Sequence, residues 1–137
     1  MLGCSVSQRA TKSARGTAEL TQPMTQHAHL TVERWARFDL GQQLLQIGVE
    51  MQRGMRWLRP EHIERLRACY ERALRLVDLT IEVQAKPTLK RELRLWRGVV
   101  AELQARDTPD AGTHRMALRV LLQLHPEAYK QIVLLGL

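Results

Sequence analysis

Five histidines, two cysteines and a run of cations are the residues of this chain best equipped for chemistry, and their spacing separates them. His27, His29, His62, His114 and His125 lie in separate segments, and no two share a helical face at i,i+4. That is the spacing at which two imidazoles on one helix reach a single metal ion. His27 and His29 form a dipeptide spacing in a segment without regular period, so no metal site and no cofactor is expected. Cys69 has neither a helix N-terminus nor a base beside it in sequence, so nothing there lowers its thiol pKa. Ser5, Ser7 and Ser13 are the only serines, all within the first 30 residues. Neither "GTAEL" nor "RGMRW" continues into the Lys-Ser/Thr of a phosphate loop. Catalysis is not expected.

The cations are more telling. Lys86, Lys90, Arg94 and Arg97 occupy one sector of a helical wheel beside an apolar face, Arg91 extends it, and Glu92 is the one acid between Lys86 and Arg97. A stripe of this kind can follow a phosphate backbone, its guanidinium groups binding in pairs of hydrogen bonds. It is equally the pattern of a solvated face. Arg53, Arg56 and Arg59 can join the same surface, or answer the negative end of the helix that carries them. The net charge is +7, and 17 of the 21 Lys and Arg residues are arginine. Excess cations point to a polyanion such as RNA or DNA, while arginine in place of lysine also follows from GC-rich coding.

A length of 137 residues with 45% apolar and 26% charged side chains suits one ordinary globular domain. Leucine and arginine suit helices, and the aromatic content is low. Residues 1–30 are rich in Ser, Thr, Gln and Ala and bury too little to offset ordering, which predicts a flexible tail. Met24 is an alternative start. Residues 31–137 are expected to form an all-α, four-helix-bundle-like domain with a short extra C-terminal helix. Trp35 and Phe38 mark a lead-in, either one or two helical turns or an extended arm.

Asp39 and Gln42 match a capping box. Beyond them Leu40, Leu44, Ile47, Met51, Met55 and Leu58 mark the first long helix. Pro60 opens the second, with Ile63, Leu66, Tyr70, Ala73, Val77 and Thr80 inward and Leu74 and Ile81 widening the stripe. Pro87 opens the third, with Leu89, Leu93, Trp96, Val100 and Leu103. Thr108 or Asp110 caps a fourth, with Met116, Ala117, Val120, Leu121 and Leu124 inward. His125-Pro126 divides it from a last segment containing Tyr129, Ile132 and Leu135. Cys69 is expected buried or half-buried, and Glu50 with Arg53 forms a buried pair if the first long helix is central, or, as the commoner case, a solvated one. Asp78 either bonds across an interface or stands exposed. Two cysteines imply no disulfide framework and a cytoplasmic setting. No apolar run reaches the roughly 20 residues of a membrane span.

The first long helix carries Gly41, Gly48 and Gly54, each about 1 kcal/mol worse than alanine in a helix interior. All three flank the apolar stripe, Gly41 and Gly48 on one margin and Gly54 on the other. Missing Cβ atoms there let neighbouring helices come closer, which makes this the inner helix. Close packing predicts that Gly48→Ala loses stability; an uncrowded glycine predicts a gain near 1 kcal/mol.

"WARFDLGQQLLQIGVEMQRGMRW", "YERALRLVDLTIE" and "LKRELRLWRGVVAEL" together resemble a family of small, uncharacterised bacterial helical proteins. The matching positions are Trp35, Phe38, Gln43, Ile47, Gly48, Glu50, Arg72, Ala73, Leu74, Leu76, Asp78, Leu79 and Thr80, within residues 33–103. The resemblance implies the helical fold and brings no settled activity with it. In size, charge and helical plan the chain is also similar to the basic four-helix-bundle accessory proteins of diversity-generating retroelements, which implies homo-oligomers that bind a reverse transcriptase and RNA. The resulting expectation is a non-enzymatic, homo-oligomeric adaptor with a basic surface for nucleic acid. The alternative is a protein-only interaction module partnering a neighbouring enzyme.

Overall fold

The computed structural model describes residues 31–135, most of them helical, with no strand among the described residues. The tail expected over residues 1–30, with His27, His29 and Cys4, lies outside them. The lead-in is a single helical turn, α1 (Val32–Trp35), begun where Thr31 accepts the Arg34 backbone N–H. Four long helices follow: α2 (Leu40–Gly54), α3 (Ile63–Val83), α4 (Pro87–Ala105) and α5 (Ala111–Leu122). A shorter α6 spans Pro126–Leu135.

Local chemistry accounts for each boundary. At Asp39 the full capping box is present: the Asp39 carboxylate accepts the Gln42 N–H at 2.8 Å, and Gln42 Oε1 accepts the Asp39 N–H at 2.9 Å. Between α2 and α3 the chain makes two 3-10 turns, Met55–Trp57 and Pro60–His62. Pro60 therefore opens a 3-10 turn, and the α-helix expected from it starts three residues later. Pro87 stands at the first position of α4, where its missing N–H has no partner to lose. Asp110, of the two caps considered, accepts from Thr113 N at 3.1 Å.

The long helices close a ring in which α2 packs on α3, α3 on α4, α4 on α5 and α5 on α2. Side-chain contacts give the directions. Gln84 meets Gln43 and Arg72 meets Glu50, so α2 and α3 run opposite ways. Arg67 meets Gln104 and Arg97 meets Asp78, so α3 and α4 do as well. His114 reaches Met51, while Leu118 and Leu122 lie beside Gly48, which reverses α5 against α2. The result is an up-down-up-down bundle, with α1 laid on α3 and α6 on α2 and α5.

Leu44, Ile47, Met51, Leu66, Tyr70, Val77, Leu93 and Val100 are buried in the middle, as the 3–4 spacing predicts. Ile63 and Ile81 are only half-buried, while Cys69 and Leu76 join the core. The face of α5 differs from expectation. Met116 and Val120 are exposed, and Leu118 and Leu122 are buried in their place. Apolar side chains lie nearly all round α5, so its period alone leaves the inward side open; contact with Gly48 selects the 118/122 side.

Gly41, Gly48 and Gly54 are all buried, but what faces them is side chain, not approaching backbone. A Cβ at Gly54 would sit 2.9 Å from His114 Cε1 and 3.2 Å from Leu66 Cδ1. At Gly41 it would meet the His125 ring at 3.1 Å. At Gly48 it would find Leu122 and Leu118 at 3.4 and 3.6 Å, ordinary contact distances. Close packing therefore accounts for Gly54, where an imidazole fills the notch, and not for Gly48, where alanine fits.

Candidate functional site

Two polar clusters lie inside the bundle. His114, fully buried, joins α5 to α3 and α2: its Nδ1 is 2.7 Å from the Tyr70 hydroxyl and its Nε2 is 2.7 Å from the Met51 carbonyl. A carbonyl only accepts, so Nε2 carries the proton and neutral Nδ1 accepts from Tyr70. Burial holds the His114 pKa below the usual histidine value, and burial likewise raises that of Tyr70. Both groups are neutral at pH 7 and fully engaged.

In the second cluster Glu50, at 0% exposure, accepts from Arg72 Nε at 2.9 Å and from Arg53 Nη1 at 3.2 Å. Of the two readings of the Glu50–Arg53 pair, the favoured solvated one is corrected and the buried one stands: Arg72, from the next helix, completes a buried carboxylate site. Arg72 Nη2 also approaches Cys69 Sγ at 3.5 Å. Burial nevertheless outweighs the guanidinium and pushes the thiol pKa up. Cys69 is an inert core residue.

A third set of polar contacts fastens the lead-in. Trp35 Nε1 donates to Thr80 Oγ1 at 2.9 Å, and Thr80 donates to the Leu76 carbonyl. Gln43 Nε2 donates to the Trp35 and Phe38 carbonyls, and its own oxygen accepts from Gln84. The family-like positions Trp35, Gln43, Glu50, Arg72 and Thr80 are therefore scaffold residues. No group of three metal-ligating side chains occurs among the described residues.

The cationic residues divide differently from the sequence pattern. On α4, Lys86, Arg91 and Arg94 are exposed and Lys90 is half-buried. Arg97 is taken: its Nε and Nη2 both bond Asp78 of α3, the second at 3.1 Å. Asp78 thus bonds across a helix interface, at the surface, and its hydrogen bonds keep the Arg97 guanidinium firmly charged. Arg53, Arg56 and Arg59 do not extend the α4 stripe. The start of α4 lies level with the start of α2, whereas these arginines follow the end of α2, a helix that does not neighbour α4 in the ring. Arg53 is bound to Glu50. Arg56 and Arg59 line a separate cleft.

One surface feature was readable only in part. Leu95 (61% exposed) and Val99 of α4 lie beside Met116 (55% exposed) and Val120 of α5. With Trp96 and Leu124 they line a shallow apolar groove of about 170 Å³ whose one charged wall residue is Glu92. Leu95 and Val99 stand at i,i+4 outside the Leu93/Trp96/Val100 face, which is the signal the sequence offers. Its α5 half was hidden because Met116 and Val120 looked like core.

Compared with known proteins, the chain matches no family model, no curated protein and no solved structure. Of the two likenesses drawn from the sequence, the first rests on its motifs and the second on size, charge and helical plan alone. No helix among the described residues is long and apolar enough to cross a membrane.

Proposed function

We propose that this protein is a non-enzymatic helical-bundle adaptor that pairs with a second copy of itself and presents basic surface to nucleic acid. The supporting observation is the strip of Leu95, Val99, Met116 and Val120, four large apolar side chains exposed on one face. Isolated apolar residues at a surface need no explanation, whereas a contiguous group marks an association site.

Charge argues for a second copy as occupant. Glu92 and Glu102 border the strip on α4, and Arg119 borders it on α5; all are exposed without an ion-pair partner among the described residues. A two-fold axis along the helices lays α4 of one copy over α5 of the other. The Trp96–Ala117 hydrogen bond sets the heights. Glu92 lies about 6 Å, and Arg119 about 3 Å, from that bond in the same direction along the bundle, at a rise of 1.5 Å per residue. Acid then faces arginine twice, as a self-complementary interface requires.

Lys90 and Arg94 lie on the side of α4 away from this strip, Arg91 stands at its edge one turn before Leu95, and the exposed cations of α4 are available to RNA or DNA. Light scattering of the full chain at tens of micromolar tests the pairing. A dimer is expected, converted to monomer by Leu95→Glu with Met116→Glu. A monomeric parent protein refutes it. The protein-only alternative is favoured if binding to a partner enzyme ignores the α4 cations and fails on changes in this strip.

A further inference from the structure

We infer that the cleft between the α2–α3 turn and the start of α5 is a binding site for a phosphate group, held by Arg56, Arg59 and Arg115. The inference stands apart from the α4 stripe, which lies at the other end of the bundle. The chain geometry that makes the cleft is local. After Gly54 the two 3-10 turns carry the backbone from α2 to α3 past the first turns of α5, with Arg59 extended between them. Met55, Leu58, His62 and Ala111 line it with the three arginines, and its volume is about 320 Å³. Pockets for small ligands begin near that size.

Three observations point to an anion. First, no carboxylate lines the cleft. Glu61, in the same turn, is exposed to solvent elsewhere. Second, Arg53, Arg67, Arg72, Arg75, Arg97 and Arg106 all end on carboxylates. Arg56, Arg59 and Arg115 have no such partner among the described residues; Arg91, Arg94 and Arg119 have none either, but the first three line one cleft together. Third, the arginines are not all explained by helix dipoles. Arg56 and Arg59 suit the negative end of α2, but Arg115 stands in the second turn of α5, near that helix's positive end. Gathering three guanidinium groups around one space is repulsive when it is empty, while the α5 N-terminus beside them already has the Asp110 carboxylate as its cap. A phosphate turns that repulsion into attraction, and the planar guanidinium fork matches its oxygens.

The turn is also braced. Arg65 lies 4.7 Å over the Trp57 ring and His62 meets its edge at 5.2 Å. Both contacts hold the segment carrying Arg56 and Arg59 without using either arginine. The phosphate can belong to a free phosphoanion or to a nucleic-acid strand, and the two sources separate experimentally.

The full-length protein is titrated with inorganic pyrophosphate by calorimetry, and with a fluorescein-labelled single-stranded oligonucleotide by anisotropy. Arg59→Gln with Arg115→Gln is compared with the charge-matched control Arg91→Gln with Arg94→Gln. Arg56→Gln provides a second cleft variant, and circular dichroism checks that each is folded. The cleft variants are expected to lose about tenfold or more in affinity, the loss typical of charge-assisted hydrogen bonds, while the control keeps pyrophosphate binding. Loss confined to pyrophosphate identifies a free phosphoanion. Loss on the oligonucleotide, with a salt slope reduced by about one to two, identifies a strand. Wild-type protein that binds neither probe, or cleft variants that bind like wild type, overturn the inference. Neither result bears on self-association, which light scattering reads independently.

Discussion

Replacing Gly54 with alanine probes the packing of the bundle most directly, because the structure sets both terms. The added methyl would lie 2.9 Å from His114 Cε1 and 3.2 Å from Leu66 Cδ1. The ring has little freedom to move away: the Tyr70 hydroxyl and the Met51 carbonyl hold its two nitrogens at 2.7 Å each. Relief of the clash must lengthen one of these bonds or shift α5 from α2. Overpacking of this kind costs about 1–3 kcal/mol, and a weakened buried hydrogen bond adds up to about 1 kcal/mol. Against this, alanine recovers about 1 kcal/mol of helix propensity. The net expectation is a loss of about 1–2 kcal/mol. Gly48→Ala is the internal control. Its methyl meets Leu122 and Leu118 at 3.4 and 3.6 Å, so propensity dominates and about 0.5–1 kcal/mol is gained. Urea unfolding followed by circular dichroism, at one fixed protein concentration, should move the midpoint down for Gly54→Ala and up for Gly48→Ala with an unchanged m value. A Gly54→Ala protein as stable as wild type would show that the His114 ring is not pinned, and the reasoning would be wrong.

Two further changes examine the buried polar groups. Glu50→Gln keeps the shape but removes the charge that Arg72 and Arg53 share, and a loss of about 1–3 kcal/mol is expected in the same urea assay. An unchanged midpoint would mean the two guanidinium groups are satisfied by water. Acidification tests His114. Its folded pKa lies below the unfolded value of about 6.5, so between the two the unfolded chain binds a proton that the native protein does not. Stability therefore rises with pH in that window. It is fully present above about pH 6.5 and falls on acidification by up to about 1.4 kcal/mol per pH unit. The slope should shrink in His114→Gln, and an identical slope in that variant would assign the effect to other groups.

Most helix boundaries, and the apolar sides of α2, α3 and α4, were legible in the sequence, because those features depend on neighbours within one turn. Asp39 with Gln42, Pro87 at the head of α4, Asp110 before α5 and the 3–4 spacing of Leu44, Ile47 and Met51 are each complete within a few residues. Partnerships across the bundle have no such local record. Glu50 and Arg53 are a turn apart and look like a surface pair, yet Arg72, 22 positions away, makes that carboxylate a buried one. His114 is a lone histidine until α5 swings it between Tyr70 and Met51. Arg97 belongs to a basic stripe until Asp78 of α3 takes it. Met116 and Val120 read as core because α5 is apolar on several sides, and only its seating against Gly48 turns them outward. Periodicity reports how an isolated helix divides its faces; which face meets protein, and which charges meet one another, follows from the placement of whole helices against each other.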